Sequence, residues 1–515
     1  MIEIIKKIEW FFYLLFFFWL GFIYAPQYAQ QLDALTFFDI DSSMHVDSAI
    51  KTSFTHSSGW NGYGIGWYKT VNIVDFFVGP AVRIFLPYKI SASSQLMLSF
   101  MLLNIATMSL MFYSFFKYAG NYGPARSKTF ALRLTLISFM VLLLSPIWHK
   151  YIFRAYPDIF MTGLLGILFL SLLHFKKIRH YFIIGLLIGA LISIKIPTIL
   201  FIAPVLLFFA HWSMLHISSL VFGTGISFLL FSYPIQIEVI NRILILLTGS
   251  NATLNSFRIP FDKIWLYNYS TNFVDLILPV FFCVGLCCLT GRRYKICSRD
   301  FIKTIVVSIF ILIYFALNPV SIEYRHYVFI VLPLVVFIAI GSSSFLLAFF
   351  SHYEFNNLFS YAPRSVKIFK IFFYILILCY LFKESTIFDK DIQLALQVRN
   401  KCETEVVLFM NSLRNLKKDG VNRAFATPYI PNFPIEKNSW YSSDSAKIIT
   451  PDYDLLVLSK FFMKRYKYSN EKSLNRTQKF FVKAYDNAEI ANVSDQEYQL
   501  IYSGVYCPVV VYIKK

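Results

Sequence analysis

Four groups of charged residues lie at or beside the ends of apolar segments, where a charge is costly unless it has a role. The first group, Asp39, Asp41, His45 and Asp47, follows the first apolar segment. A carboxylate held in position is a general base, so one of these residues could take a proton from an attacking hydroxyl or amine. The Asp-x-Asp pair could instead hold a divalent cation through its oxygens. A solvated acidic loop is the structural alternative.

The other three groups add mainly cations. Arg154 and Asp158 lie in Arg-Ala-Tyr-Pro-Asp before an apolar segment, where Asp158 could simply cap the helix. Lys195 interrupts an apolar stretch just before a proline, and snorkelling toward the membrane surface is the alternative explanation for it. Arg325 and His326 precede a further apolar segment. An arginine there is unusual if the segment starts outside, which favours an anion ligand.

The chemistry that fits these residues is group transfer from a lipid-linked phosphate. An acceptor hydroxyl or amine loses its proton to a carboxylate as it attacks. A departing phosphate is already a stable anion, so it needs cations and not an acid. One base and several cations would therefore suffice, provided that the four groups lie on the same side of a membrane.

Composition predicts a polytopic membrane protein. Of the 515 residues, 57% are hydrophobic and 15% are charged, whereas about a quarter of the residues in soluble domains are charged. Crossing a bilayer takes about 20 apolar residues. We predict about eleven transmembrane helices, at 8–25, 94–117, 129–148, 157–174, 180–195, 196–213, 215–234, 272–290, 302–319, 326–349 and 366–383. The division at Lys195 rests on the helix-breaking Pro197.

The formal charge of +19 comes largely from lysines and arginines in alternate connections between these segments. Such clusters mark cytoplasmic loops, so we expect no nucleic-acid partner. The same rule puts the N-terminus in the cytoplasm and the four charged groups on the outer side. Abundant Phe, Ile and Lys point to the inner membrane of a bacterium, although an endoplasmic-reticulum protein would have an equivalent topology.

We expect two domains. Residues 1–383 form the transmembrane domain, including a first outer loop at 26–93, and residues 384–515 form a small extracytoplasmic α/β domain. Segments 454–459 and 508–513 are apolar and short enough to be buried strands of that domain. Cys402 and Cys507 lie near its two ends, where they are either bridged or two separate thiols.

The order of the motifs resembles the GT-C superfamily of membrane glycosyltransferases, especially the branch with protein O-mannosyltransferases and the bacterial lipid A aminoarabinose transferase. The elements that carry the resemblance are Asp39-Ile-Asp41, Arg154-Ala-Tyr-Pro-Asp158, Lys195-Ile-Pro197 and Arg325-His326-Tyr327. Two departures matter. Ser42 stands where many members have an acid after the first-loop Asp, and Pro157 precedes Asp158 where the family has the acid before the proline.

The resemblance implies an all-α, GT-C-like bundle that transfers a sugar from a polyprenyl phosphate with inversion. It implies Asp41, Asp39 or Asp47 as the base, and donor-phosphate ligands at Lys195, Arg325 and His326. Supporting roles fall to Asp158, Arg154 and His45. The implied acceptor is a lipid, a glycan or a protein, and membrane lipids are further partners. Whether a divalent cation is a cofactor is left open. The alternatives are a transporter or flippase of lipid-linked glycans, and a glycan polymerase or ligase.

Overall fold

The structure, a computed structural model, is mostly helical in the part of the chain that it describes. The described residues are 45–46, 48–50, 52–53, 64–85, 92–121, 131–132, 134–136, 138, 151–152, 154–248, 283–284, 296–317, 330–343, 424–426, 454–459, 490–493, 496–504 and 509–515. Within these ranges the longer helices are α1 (Ile65–Phe85), α2 (Ala92–Asn121), α3 (Pro157–His174), α4 (Ile178–Ile194), α5 (Ile199–Phe209), α6 (Met214–Ser232), α7 (Gln236–Thr248), α8 (Ser298–Leu317) and α9 (Ile330–Ser343).

Three helices among the described residues are long and apolar enough to cross a membrane: the 95–118 part of α2, α3, and α6. The predicted spans at 94–117, 157–174 and 215–234 coincide with them within a few residues. The predicted break at Lys195 is confirmed, since α4 ends at Ile194 and α5 begins at Ile199. The spans predicted at 8–25 and 366–383 lie outside the described residues, so the total of eleven stays a prediction.

Two helices occupy stretches that were predicted to be connections between spans. The helix α1 lies in the predicted loop 26–93, and α7 lies in the loop between the spans predicted at 215–234 and 272–290. In α1 the first half is buried through Trp67, Tyr68 and Val71, whereas Phe76 and Phe77 in the second half are exposed. Neither helix was predicted because both are too amphipathic to register as spans.

Glycines let α4 and α6 pack backbone to backbone. A β-carbon at Gly185 would lie 2.3 Å from Leu220 O, and one at Gly189 would lie 2.4 Å from Thr224 O. On the facing helix, a β-carbon at Gly223 would lie 2.3 Å from Phe182 O. Small residues at such positions are what permit close helix approach in a membrane, where van der Waals packing drives association.

The C-terminal segment contains a five-stranded sheet in the order β1-β2-β5-β4-β3. The strands are β1 (Ala424–Ala426), β2 (Leu455–Ser459), β3 (Ile490–Val493), β4 (Gln496–Ser503) and β5 (Val509–Lys514). The β1–β2 pair is parallel and the other pairs are antiparallel. Strands β2 and β5 are the two that the sequence predicted, and burial between neighbours raises the pKa of Tyr512 to about 12. The helical part of the predicted α/β domain lies outside the described residues.

Replacing Gly189 by Ala tests the close packing of α4 on α6. The added methyl group would meet Thr224 O, so we expect the free energy of unfolding to fall by about 1–3 kcal/mol. Gly225→Ala on α6 is the matched control, because a β-carbon there has no atom within 4 Å. Thermal unfolding in detergent measures both variants. Equal stability of the two would contradict the packing described here.

Candidate functional site

The turn between α4 and α5 fixes the backbone of Lys195 from both sides. Lys195 has an extended backbone, with φ −152° and ψ 108°, and its N–H donates to Leu191 O at 3.0 Å. The carbonyl of Lys195 accepts from the Thr198 hydroxyl at 2.6 Å and from the Thr198 N–H at 3.1 Å. Pro197 cannot continue the helix, which explains why the chain turns here. The side chain of Lys195 therefore starts from a well-defined position.

Asp158 lies in the first turn of α3, directly after a proline. The N-cap residue is Tyr156, so Asp158 is not the N-cap itself but lies in the first turn of the helix, where the helix dipole favours a carboxylate. Its carboxylate accepts a hydrogen bond from the Lys195 ammonium and forms an ion pair with it. The snorkelling explanation of Lys195 is also wrong, because only 5% of the residue is exposed, as against 2% of Asp158.

The Asp158–Lys195 pair lines a small pocket with a cavity volume of about 10 Å³. Its other lining residues are Met161, Thr162, Leu165, Thr198 and Ile330. The pocket lining thus combines four polar residues with three apolar ones. Ile330 is the first described residue of α9, and Arg325 and His326 precede it by five and four residues in the sequence. Arg325 and His326 themselves lie outside the described residues.

The first outer loop packs against the same end of α3. His45 is fully buried, hydrogen-bonded through Nδ1 to the Tyr68 hydroxyl at 3.1 Å. Its ring also meets the Tyr156 ring edge-on, with 6.0 Å between the centroids. Tyr156 lies two residues before Asp158, so the structure brings His45 to the neighbourhood of the ion pair. Asp39, Asp41 and Asp47 lie outside the described residues.

Several polar contacts hold the segment that leads into α3. Asn104 on α2 donates from Nδ2 to Ile152 O at 3.1 Å and to Arg154 O at 3.0 Å. Trp67 on α1 donates from its indole nitrogen to Ala155 O at 3.0 Å. Arg154 therefore has its backbone fixed by a neighbouring helix. These contacts position Asp158 without touching it.

Sequence reasoning missed Lys69, a buried lysine on α1. Its ammonium donates to Tyr233 O at 2.6 Å and to Leu230 O at 3.2 Å, at the C-terminal end of α6. A cation is favoured at a helix C-terminus by the helix dipole. Burial lowers the pKa of Lys69 below its ordinary value. The sequence feature that could have identified Lys69 is its position directly after Trp67 and Tyr68 in an amphipathic stretch.

A metal site is not found among the described residues, which contain no group of three or more histidines, cysteines or acids able to hold one ion. The Asp-x-Asp pair proposed from the sequence falls outside them.

No protein-family model and no curated protein matches the chain. The solved structures that are similar to it include two of ArnT from Cupriavidus metallidurans. The structure bound to undecaprenyl phosphate is 11% identical with a TM-score of 0.45, and the match covers 95% of this chain and 97% of that one. The apo structure is 10% identical with a TM-score of 0.46, and the match covers 92% of each chain.

The chain is similar to an aminoarabinose transferase over most of its length. ArnT is a GT-C glycosyltransferase from the branch that the sequence motifs resemble.

Removing one member of the buried ion pair should cost more than removing both. Lys195→Met or Asp158→Leu alone leaves a buried charge uncompensated, so we expect each to lower the free energy of unfolding by about 3–5 kcal/mol. The double variant should regain most of that loss, since no lone charge remains. Unfolding in detergent measures the cycle, with Lys117→Met as the exposed control. Additive losses in the double variant would show that the two side chains do not interact.

Proposed function

We propose that the chain is a bacterial inner-membrane glycosyltransferase that moves a sugar from a polyprenyl-phosphate donor to an acceptor on the outer face. The observation that carries this proposal is the buried Asp158–Lys195 pair. It lines a pocket at the end of the bundle where the first outer loop also packs. The acceptor is a lipid, a glycan or a protein of the cell envelope.

Lys195 would stabilise the donor phosphate as it leaves. A phosphate joined to both a sugar and a prenyl chain carries one negative charge, and the released polyprenyl phosphate gains a second. A cation aimed at that phosphate therefore helps most in the transition state, which is the condition for rate acceleration. Asp158 accepts a hydrogen bond from the ammonium, which holds the group at the pocket.

The apolar part of the pocket lining supports a lipid-linked donor over a soluble one. It consists of Met161, Leu165 and Ile330. Arg325 and His326, a few residues before Ile330 in sequence, would add positive charge to the donor phosphate. We assign them that role on their sequence position and charge.

A carboxylate of the first outer loop would act as the base. In the reaction the acceptor oxygen or nitrogen attacks the anomeric carbon and forms the new glycosidic bond, while the bond from that carbon to the phosphate oxygen breaks. The proton passes to the carboxylate, and the sugar is inverted. Asp47 and Asp41 are two and four residues from the buried His45, a reach of at most about 7 and 14 Å. Asp39 is the third candidate.

Replacing each candidate base by its amide tests the proposal. Loss of a general base lowers kcat by about 10²–10⁴-fold, so one of Asp39→Asn, Asp41→Asn and Asp47→Asn should do so. Binding of polyprenyl phosphate should not change, because the cations remain. The assay supplies a panel of polyprenyl-phosphate hexoses and pentoses with a cell-envelope extract, and measures the polyprenyl phosphate released.

The matched control is Asp75→Asn in the same outer loop. The Asp75 carboxylate accepts from Gln95 at 2.8 and 3.0 Å and from Ser99 at 3.0 Å, so it joins α1 to α2. This variant should keep its turnover. Undiminished transfer in all three candidate variants would remove the catalytic assignment.

A further inference from the structure

The end of the bundle opposite the pocket carries a second group of charged side chains that the proposed reaction does not use. The helix α3 runs from Pro157 to His174, so its last residue lies about 24 Å from Asp158 along the helix axis. At that end the α3–α4 and α5–α6 connections meet the first turns of α6 and α8. We call this group the basic end, and it consists of Lys176, His211, His216 and Lys303.

Hydrogen bonds to the backbone and one ring contact bring these four residues to the same end of the bundle. His216 is bonded through Nε2 to Lys176 O at 2.9 Å. The His211 and His216 rings lie 5.7 Å apart between centroids. Lys303 donates to Phe208 O at 2.8 Å, which ties α8 to the end of α5. Four different helix ends thus contribute one basic group each.

Helix capping explains only part of this arrangement. Lys176 donates to Leu172 O at 3.0 Å, and Lys303 donates to Phe208 O, so each ammonium satisfies one carbonyl at a helix C-terminus. An ammonium has three donors, and a capping role does not require the two lysines to be near each other. Their proximity is unfavourable unless an anion offsets it.

The groups are close enough to affect one another's protonation. The pKa of Lys176 is lowered, first by burial, with Asp300 opposing and Lys303 adding to the shift. The pKa of His211 is lowered by burial and then by Lys176, His216 and Lys303. Asp300 is the acid that acts on Lys176, and it offsets only part of the positive charge. A further anion at this end would relieve the repulsion.

Exposed apolar side chains adjoin the basic end. Trp212, Met214 and Leu215 follow His211 directly in the chain and are 57%, 82% and 66% exposed. Further along α6, Val221 and Phe222 are also exposed. Tryptophan is enriched where a membrane meets water, and α6 is apolar and long enough to cross it. The basic end and the exposed apolar face of α6 therefore lie side by side, in the same order as the head group and the acyl chains of a lipid.

We propose that the basic end binds the phosphate head group of an anionic phospholipid from the inner leaflet, with its acyl chains along the exposed face of α6. Basic pockets between transmembrane helices on the cytoplasmic side suit such head groups. A free phosphate ion would use the same cations but would gain nothing from Trp212, Met214 and Leu215. This inference does not depend on the proposed reaction.

Lipid binding by the full-length chain tests this proposal. Purified protein in nonionic detergent is titrated with phosphatidylglycerol or phosphatidylcholine, and bound lipid is counted by native mass spectrometry. Wild-type protein should hold phosphatidylglycerol at least about tenfold more tightly than phosphatidylcholine. Lys176→Gln with Lys303→Gln should weaken phosphatidylglycerol binding by about fivefold for each lysine. Lys176→Gln alone changes an exposed residue, so it should show the fivefold loss of phosphatidylglycerol binding for one lysine even if the double variant is unstable.

The matched control removes the same charge elsewhere. Lys515→Gln, compared with Lys176→Gln, replaces an exposed lysine at the end of β5, outside the basic end, and should leave lipid binding unchanged. Three results would overturn the proposal. These are equal loss in Lys176→Gln and Lys515→Gln, equal affinity for the two lipids, and full displacement of phosphatidylglycerol by glycerol phosphate at the same concentration. The last result would identify a soluble phosphate as the occupant.

Discussion

The buried ion pair between Lys195 and Asp158 is the interaction on which the rest of the described helical structure depends. Two opposite charges that are removed from water must be in contact, which constrains the helices that carry them. Lys195 and Asp158 are 37 residues apart in sequence and come from the ends of two helices. Burying either charge alone would cost several kcal/mol, so the relative position of the two helix ends is restricted to one that keeps the ion pair. The turn at Pro197 positions Lys195, and the first turn of α3 positions Asp158.

The surrounding helices supply the rigidity that such a pair requires. Asn104 and Trp67 hold the backbone that leads into α3. Gly64 donates its N–H to Ile194 O at 2.9 Å, beside Lys195, and a β-carbon at Gly64 would lie 1.7 Å from Ser193 O. The outer-loop helix α1 is therefore in direct backbone contact with the end of α4. A charged group supported in this way is preorganised, which favours electrostatic stabilisation of a leaving group.

Local signals in the sequence were enough to predict the parts of the fold that depend on local chemistry. Apolar length predicted α3 to its ends, and Pro197 predicted the break beside Lys195. Charged residues at the ends of apolar segments also identified Asp158 and Lys195 as candidate functional residues, because burying a charge is costly. The predictions for Asp39, Asp41, Asp47, Arg325 and His326 fall outside the described residues and remain predictions.

What the sequence did not predict depends on contacts between distant segments. No local pattern joins Asp158 to Lys195, so capping and snorkelling were reasonable alternatives until the two side chains were seen together. The same applies to Lys69, whose partners on α6 lie more than 160 residues away. The helix α1 was overlooked because half of it is buried by packing on α2 and α4 and not by lipid. Tertiary packing thus decided each of these features.

The most direct test of the central claim is a cryo-electron microscopy structure of the full chain with undecaprenyl phosphate. We expect a phosphate oxygen about 3 Å from the Lys195 ammonium, with Asp158 still in contact with that group, and no bound phosphate at this position in the Lys195→Met, Asp158→Leu double variant. A phosphate bound elsewhere in the wild-type chain, or bound unchanged at this position in the double variant, would contradict the account.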